Sequence, residues 1–203
     1  MIKIIFNNEV TMPYSPQHKE ESRLRILESA AKSFLHKGYE QTGINDVMRD
    51  AGMTRGAFYA HFSSKSELYD KAMLYAAAHG RLASHKNSGQ RGSEWLMTML
   101  EGYLSLDHLV GEETPCPLAF LVTDIANREP QVRQTYTRIY RRMNSLIERY
   151  RDNPSNQQNE EVLALTALMV GGVALSRVVD DERLAERILT SCRQTAAELL
   201  DIQ

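Results

Sequence analysis

Residues 42–65 read TGINDVMRDAGMTRGAFYAHFSSK, and this stretch decides the fold. Ile44, Val47, Met48 and Ala51 recur at three and four residues, the spacing of one helical face, and Gly52 closes that short helix. Thr42 is its expected N-cap, although Asn45 stands where the acid of a capping box would. A second short helix follows at once: Thr54 can cap the run Arg55 to Phe62. Two short helices separated by a tight Ala51-Gly52-Met53-Thr54 turn have the spacing of a helix-turn-helix, in which the first helix crosses a nucleic-acid backbone and the second enters the major groove. The second helix must then bury one face and present a small, polar, aromatic one. Phe58 and Phe62, four apart, supply the buried face. Arg55, Gly56, Ala57, Tyr59 and His61 are left outward, with Gly56 and Ala57 small enough for close backbone approach.

Upstream, Leu24, Leu27, Ala31, Phe34 and Leu35 keep a helical period, His36 and Lys37 fall at the negative end of the helix dipole, and Gly38 supplies the stop, so a first helix is predicted over about 20–37. Downstream, Ser64 and Glu67 are spaced as a capping box and open a helix expected to run to about His85. Residues 1–18 contain Pro13 and Pro16 and show no sustained period. They are expected to form an extended or disordered lead, with Met12 as an alternative initiator, and the short apolar run Ile2, Ile4, Ile5, Phe6 has no strand partner downstream. Gly80 and the polar stretch 84–92 mark a boundary. Long helices are expected beyond it at about 93–110, 116–127, 130–152, 159–179 and 182–201, punctuated by Pro115, Pro117, Pro130 and Pro154. The reading is all-α in three parts: a lead over 1–18, a three-helix domain over 19–64, and a larger helical domain over 65–203.

Bulk charge is silent about partners. The formal net charge of the 203 residues is −2, and in the first seventy residues Lys19, Arg23, Arg25, Lys32, Lys37, Arg49, Arg55 and Lys65 are balanced by Glu20, Glu21, Glu28, Glu40, Asp46, Asp50, Glu67 and Asp70. Any case for nucleic acid rests on where particular cations sit. No apolar run reaches the roughly 18 to 20 residues of a membrane span and no secretion signal opens the chain, so a soluble, cytoplasmic protein without membrane attachment is expected. Cys116 and Cys192 lie far apart, and neither belongs to a CxxC or Cys/His cluster. Reduced thiols are expected, with no metal and no cofactor.

Gly38-Tyr39, Thr42, Asp46-Val47, Ala51-Gly52, the run Gly56 to Phe62 and the run Ser64 to Leu68 together resemble the N-terminal signature of the TetR/AcrR family of transcriptional regulators, continuously over about 50 residues. The resemblance implies a three-helix DNA-binding domain joined by a fourth helix to a helical ligand-binding and dimerisation domain. It implies no enzymatic activity. Residue by residue it implies that Thr42 and Tyr59 meet phosphates, that Lys65 meets a phosphate at the start of the fourth helix, and that Arg55, Gly56 and Ala57 face base edges. Thr54 and His61 complete the expected DNA-facing set, His61 in either role. The function expected is a repressor that leaves a palindromic double-stranded operator when a small-molecule effector binds.

In the C-terminal half, Val162 to Val179 is apolar nearly all round its helix, and such a helix must be buried on every side. Leu184, Ile188, Cys192, Thr195, Ala196 and Leu199 stripe the last helix, and small Gly171, Gly172 and Ala174 permit close helix approach. This fits the homodimer interface that the resemblance implies, a four-helix bundle made from the last two helices of each subunit, for which Leu163, Ala167, Val170, Gly171, Ala174, Ile188, Cys192, Thr195 and Leu199 are the candidates, against a purely intramolecular core. The candidate effector lining is Trp95, Met99, Tyr103, Cys116, Phe120, Tyr136, Tyr140 and Met143, residue types that more often form ordinary core. The PCPLA segment around Cys116 resembles a Cys-Pro segment of some family members, and a thiol at a helix N-terminus favours thiolate, which suggests an alternative oxidant or electrophile sensor. A thiol hydrolase pairing Cys116 with His108 is the enzyme alternative. It lacks a nucleophile elbow and a base-orienting acid.

Overall fold

The structure, a computed structural model, describes residues 16–80, 83, 89–111, 114–151 and 160–200. Of the lead expected over 1–18, residues 1–15 lie outside the described residues, as does the Pro154 break, while Pro16, Gln17 and His18 already belong to the first helix; the described residues carry α-helix and no strand. In chain order the helices are α1 (Pro16–Gln41), α2 (Ile44–Asp50), α3 (Arg55–Phe58), α4 (Lys65–His79), α5 (Gly92–Tyr103), α6 (Leu106–Val110), α7 (Pro117–Phe120), α8 (Val122–Ile125), α9 (Pro130–Tyr150), α10 (Glu160–Ser176) and α11 (Glu182–Leu199). The head is built by α1 packing along α4, with α2 against α1 and α3 against α2, and the far end by α10 packing along α11.

Each helix boundary has a local cause. α1 loses helical geometry at Gly38, whose φ of 75° and ψ of 178° begin the turn toward α2. α2 ends in a Schellman motif: the Gly52 N–H donates to the Arg49 carbonyl at 3.0 Å and the Met53 N–H to the Met48 carbonyl at 2.8 Å. The motif needs a left-handed residue, and Gly52 supplies it with φ +69°. Ser64 Oγ accepts from the Glu67 N–H at 3.0 Å, the expected half of a capping box. The reciprocal half differs, because the Glu67 carboxylate reaches one residue further back and accepts from both the N–H and the hydroxyl of Ser63, at 2.8 and 2.6 Å. Those bonds hold the Glu67 carboxyl below its ordinary pKa, the hydroxyl contributing most.

Several expectations are corrected. Thr42 does not cap α2: the N-cap is Gly43, without a side-chain cap bond, while the Thr42 hydroxyl donates backward to the Gly38 carbonyl at 2.8 Å. Helical hydrogen bonds do continue from α3 through Ala60, His61 and Phe62. The single helix expected over 93–110 is two, since Leu104 departs from helical geometry and Ser105 caps α6, accepting from the His108 N–H at 3.2 Å. Leu121 likewise divides the helix expected over 116–127 into α7 and α8. α4 ends at His79, and most of the extension expected to reach His85 lies outside the described residues.

α10 is not buried on every side within the chain. Val162, Leu165, Met169, Val170 and Val173 are buried, while Leu175 is 57% exposed and, just beyond the helix, Val178 is 76% exposed. The two adjacent glycines divide the work. A Cβ on Gly172 would come within 2.8 Å of Cys192 Sγ, so this glycine lets α10 and α11 touch; a Cβ on Gly171 would meet nothing within 4 Å.

Candidate nucleic-acid interface

The short α3 presents its outer side because its inner side is anchored. Phe58 and Phe62 are buried, their rings stacked at 5.8 Å, and the Arg23 guanidinium lies 4.7 Å from the Phe62 centroid while donating to the His61 carbonyl at 3.1 Å. Thr54, Arg55 and Gly56 are exposed and Ala57 half-buried. Tyr59 is 63% exposed, with its ring edge-on to Phe58 at 5.1 Å. A Cβ added at Gly56 would meet only the Thr54 hydroxyl, at 3.9 Å, so the surface over α3 is open to a close neighbour. The structure therefore gathers Thr54, Arg55, Gly56, Ala57 and Tyr59 on one short outward segment.

Three of the other sequence candidates stand differently. Thr42 is 2% exposed, and its hydroxyl is spent on the end of α1. His61 is half-buried; burial, then Lys19 and Arg23, lower its pKa, which favours the neutral ring near neutral pH. Lys65 sits at the first turn of α4 with its ammonium 4.4 Å from the Tyr39 centroid and 3.4 Å from the Glu40 carbonyl that it faces as donor.

A second feature lies at the other end of α4. Leu74, Ala76, Ala77, Ala78, Gly80 and Ala83 face Cys116 and Pro117 of the α7 start and Ile139, Arg142, Met143 and Leu146 of α9 across a cleft of about 140 Å³. Of the residues proposed to line an effector site, Cys116 and Met143 do so here. Trp95, Met99 and Tyr103 are fully buried, Trp95 stacking on Tyr150 at 4.2 Å. The Tyr136 hydroxyl donates to the Leu118 carbonyl at 2.8 Å, that of Tyr140 meets the Thr166 hydroxyl at 2.8 Å, and Phe120 stands 3.9 Å from the Arg177 guanidinium.

The sequence signal at Cys116 reads differently in three dimensions. It precedes α7 but is buried, and burial pushes its thiol up, outweighing the hydrogen bonds from Tyr103 and the Leu118 and Ala119 N–H groups. The expected thiolate is not favoured. Its backbone N–H donates to His108 Nε2 at 3.0 Å, and His108 Nδ1 lies 2.6 Å from the Tyr103 carbonyl. Nε2 must therefore be the acceptor and Nδ1 the protonated nitrogen. The lone pair that a Cys-His hydrolase would use on the thiol is occupied by the backbone.

On the α10–α11 face, Ala167, Thr195 and Leu199 are exposed and Leu163, Gly171, Ala174 and Ile188 half-exposed, whereas Val170 is buried and Cys192 turns toward Gly172. Sequence reasoning missed the polar cluster between the halves, Tyr39, Tyr69 and Asp124, because no local period marks it.

Residues 26–72 match the family described as bacterial regulatory proteins, tetR family. The uncharacterized HTH-type transcriptional regulator YfiR of Bacillus subtilis is 29% identical over 139 residues, 66% of this chain and 64% of that protein. The HTH-type transcriptional regulator TtgR of Pseudomonas putida is 40% identical over 52 residues, a quarter of its length. The chain thus spans less than two thirds of the curated relatives it matches. Among solved structures, a TetR transcriptional regulator from Chloroflexus aurantiacus superposes with a TM-score of 0.72 at 23% identity, covering 92% of this chain and 98% of that one. The reduced form of Escherichia coli NemR superposes with a TM-score of 0.72 at 18% identity, covering 90% and 96%. At these identities the structural likeness establishes the fold.

Proposed function

Starting from a chain that belongs to the tetR family of bacterial regulatory proteins, we propose that this protein is a homodimeric DNA-binding repressor that a small-molecule effector releases from a palindromic operator. The observation that carries the reading is the outward segment Arg55 to Tyr59, held by the Gly52 turn and by the buried Phe58 and Phe62. Arg55 reads a base edge, Gly56 and Ala57 let the backbone approach, and Tyr59 and Lys65 hold phosphates on either side. Thr54 lies at the exposed start of the segment. Thr42 stands behind the surface and shapes the turn that carries it, and His61 joins as a neutral donor.

A second copy covers the outward face of α10 and α11, where Leu175 and Val178 stand exposed beside Ala167 and Leu199. Pairing through that face sets the two recognition segments one DNA turn apart or a multiple of it. The effector enters the cleft under the C-terminal end of α4, whose volume is on the order of the ~150 Å³ cavities that accept one benzene-sized molecule. Because the cleft holds one end of α4 and the DNA surface the other, a ligand that displaces Ala76 to Gly80 tilts the head. By linkage such a ligand binds the DNA complex more weakly, by the factor through which it weakens DNA binding. Cys116 serves as cleft wall. Selection from a random duplex pool tests the reading: a palindrome with half-sites about 10 base pairs apart, or a multiple, is expected, and a pool without enrichment defeats it.

A further inference from the structure

We propose that Asp124, a residue of the C-terminal half, positions the Lys65 phosphate contact by clamping the Gly38 turn near the C-terminal end of α1. The proposal rests on the reading of Lys65 as a DNA contact. The turn at Gly38 has a left-handed φ of 75°, and the next residue is tied down from another helix: the Tyr39 N–H donates to Asp124 Oδ2 at 3.0 Å. The Tyr69 hydroxyl donates to the same oxygen at 2.7 Å. One carboxylate oxygen of α8 therefore joins the α1 turn to α4, across 85 and 55 positions of sequence. The aromatic rings repeat the connection, Tyr39 standing edge-on to Tyr69 at 5.1 Å.

Tyr39 is in turn the platform for two cations. The Lys65 ammonium lies 4.4 Å and the Arg128 guanidinium 4.5 Å from its ring centroid. Their charges meet different fates. Arg128 pairs with the Glu40 carboxylate at 2.9 Å, whereas Lys65 faces only the Glu40 carbonyl; among the described residues no carboxylate lies within ion-pair distance of it. The cluster neutralises the arginine and leaves the lysine charge for an outside anion. Ser66 Oγ, donating to Glu129 at 3.3 Å, adds a further tie between the α4 start and the segment after α8. Without the Asp124 carboxylate, the Tyr39 N–H and the Tyr69 hydroxyl lose their acceptor, the turn relaxes, and the lysine loses its platform. Asp124 also lies near the end of the short α7–α8 segment, whose N-cap Cys116 and first residue Pro117 wall the cleft, so the turn answers to the C-terminal half as well as to α4.

The experiment measures binding of the full chain to its selected operator duplex across a salt series, for Lys65→Ala, Asp124→Ala, Tyr69→Phe and the double variant Asp124→Ala/Lys65→Ala. Asp124→Ala, which leaves no side-chain acceptor, is expected to weaken binding about tenfold and to lower the salt slope by about 1, as Lys65→Ala does. The double variant should bind within about twofold of Lys65→Ala alone, because both changes remove one contact. Tyr69→Phe keeps the ring and carries the same test, with a smaller effect, should Asp124→Ala not fold. An Asp124→Ala or Tyr69→Phe protein with a lower unfolding midpoint but an unchanged salt slope, or additive losses in the double variant, overturns the positioning role alone. Lys65→Ala with an unchanged slope overturns the DNA reading of Lys65 and the proposal with it.

Discussion

Phe58 and Leu175 are both large apolar side chains at the C-terminal end of a helix, yet Phe58 has no exposed surface and Leu175 is 57% exposed. The head around Phe58 closes its core inside one subunit: Ile26, Ala30, Phe34, Val47, Met48, Phe62, Leu68 and Tyr69 are buried with it. The α10–α11 pair closes only one side, on Leu165, Met169, Val173 and Leu189. The difference locates what each region lacks. The head is complete as a packed unit and offers a polar surface, whereas the tail offers apolar surface, which a solvated monomer has every reason to cover.

The largest expected effect is in the head. Phe58→Ala should cost about 3 to 5 kcal/mol, read as a fall in the unfolding midpoint that is the same at nanomolar and micromolar protein; a strong concentration dependence would mean that the head too depends on its partner. Gly171→Glu or Ala174→Glu should leave the helical signal of each chain intact, yield monomers, and weaken operator binding about 100-fold or more, because one half-site alone is weak. Dimers that persist in both variants would move the interface off this face.

Arg55→Ala comes next, with an expected cost of about 1 to 3 kcal/mol on the operator and relaxed preference at one base pair of each half-site. Equal loss on operator and random duplex would make Arg55 a phosphate contact instead. Leu175→Ala should leave a dilute monomer unaffected and weaken dimerisation by about 1 kcal/mol per protomer, seen by sedimentation. The smallest effect concerns the α4 cap. The Glu67 carboxyl is held below its ordinary value of 4.5, so its contribution is complete above that value and lost as pH falls through the lowered one. Glu67→Gln should therefore be slightly less stable than the wild type at neutral pH, and the two melts should converge in acid; a constant gap would assign the loss to something other than ionisation.

The same comparison explains what could be read from the chain alone. Head features are local: Gly52 closing α2, Ser64 capping α4, and Phe58 and Phe62 four apart all announce themselves within a few residues. The helical breaks at Leu104 and Leu121 fall on leucines, residues that ordinarily continue a helix, and the nearby Gly102 stays within α5. The capping role expected of Thr42 failed because its hydroxyl had a nearer acceptor behind it, on Gly38. Asp124 was invisible, since its partners are 85 and 55 residues away and a lone aspartate carries no period. In the tail, apolar composition did not say which side of α10 meets its own subunit. Adjacent Gly171 and Gly172 look alike in sequence, yet a Cβ on Gly172 would meet Cys192 and one on Gly171 nothing within 4 Å, and the buried surroundings of Cys116 reverse what its place before a helix suggested.

Pairing of the tails and recognition by the heads meet in the stoichiometry of the DNA complex. Sedimentation equilibrium of the wild-type chain with its selected duplex, followed across a salt series, should give two protomers per palindrome, no stable single-protomer complex at half occupancy, and binding that weakens steeply with salt. A monomer bound to one half-site with undiminished affinity, or binding indifferent to salt, would contradict it.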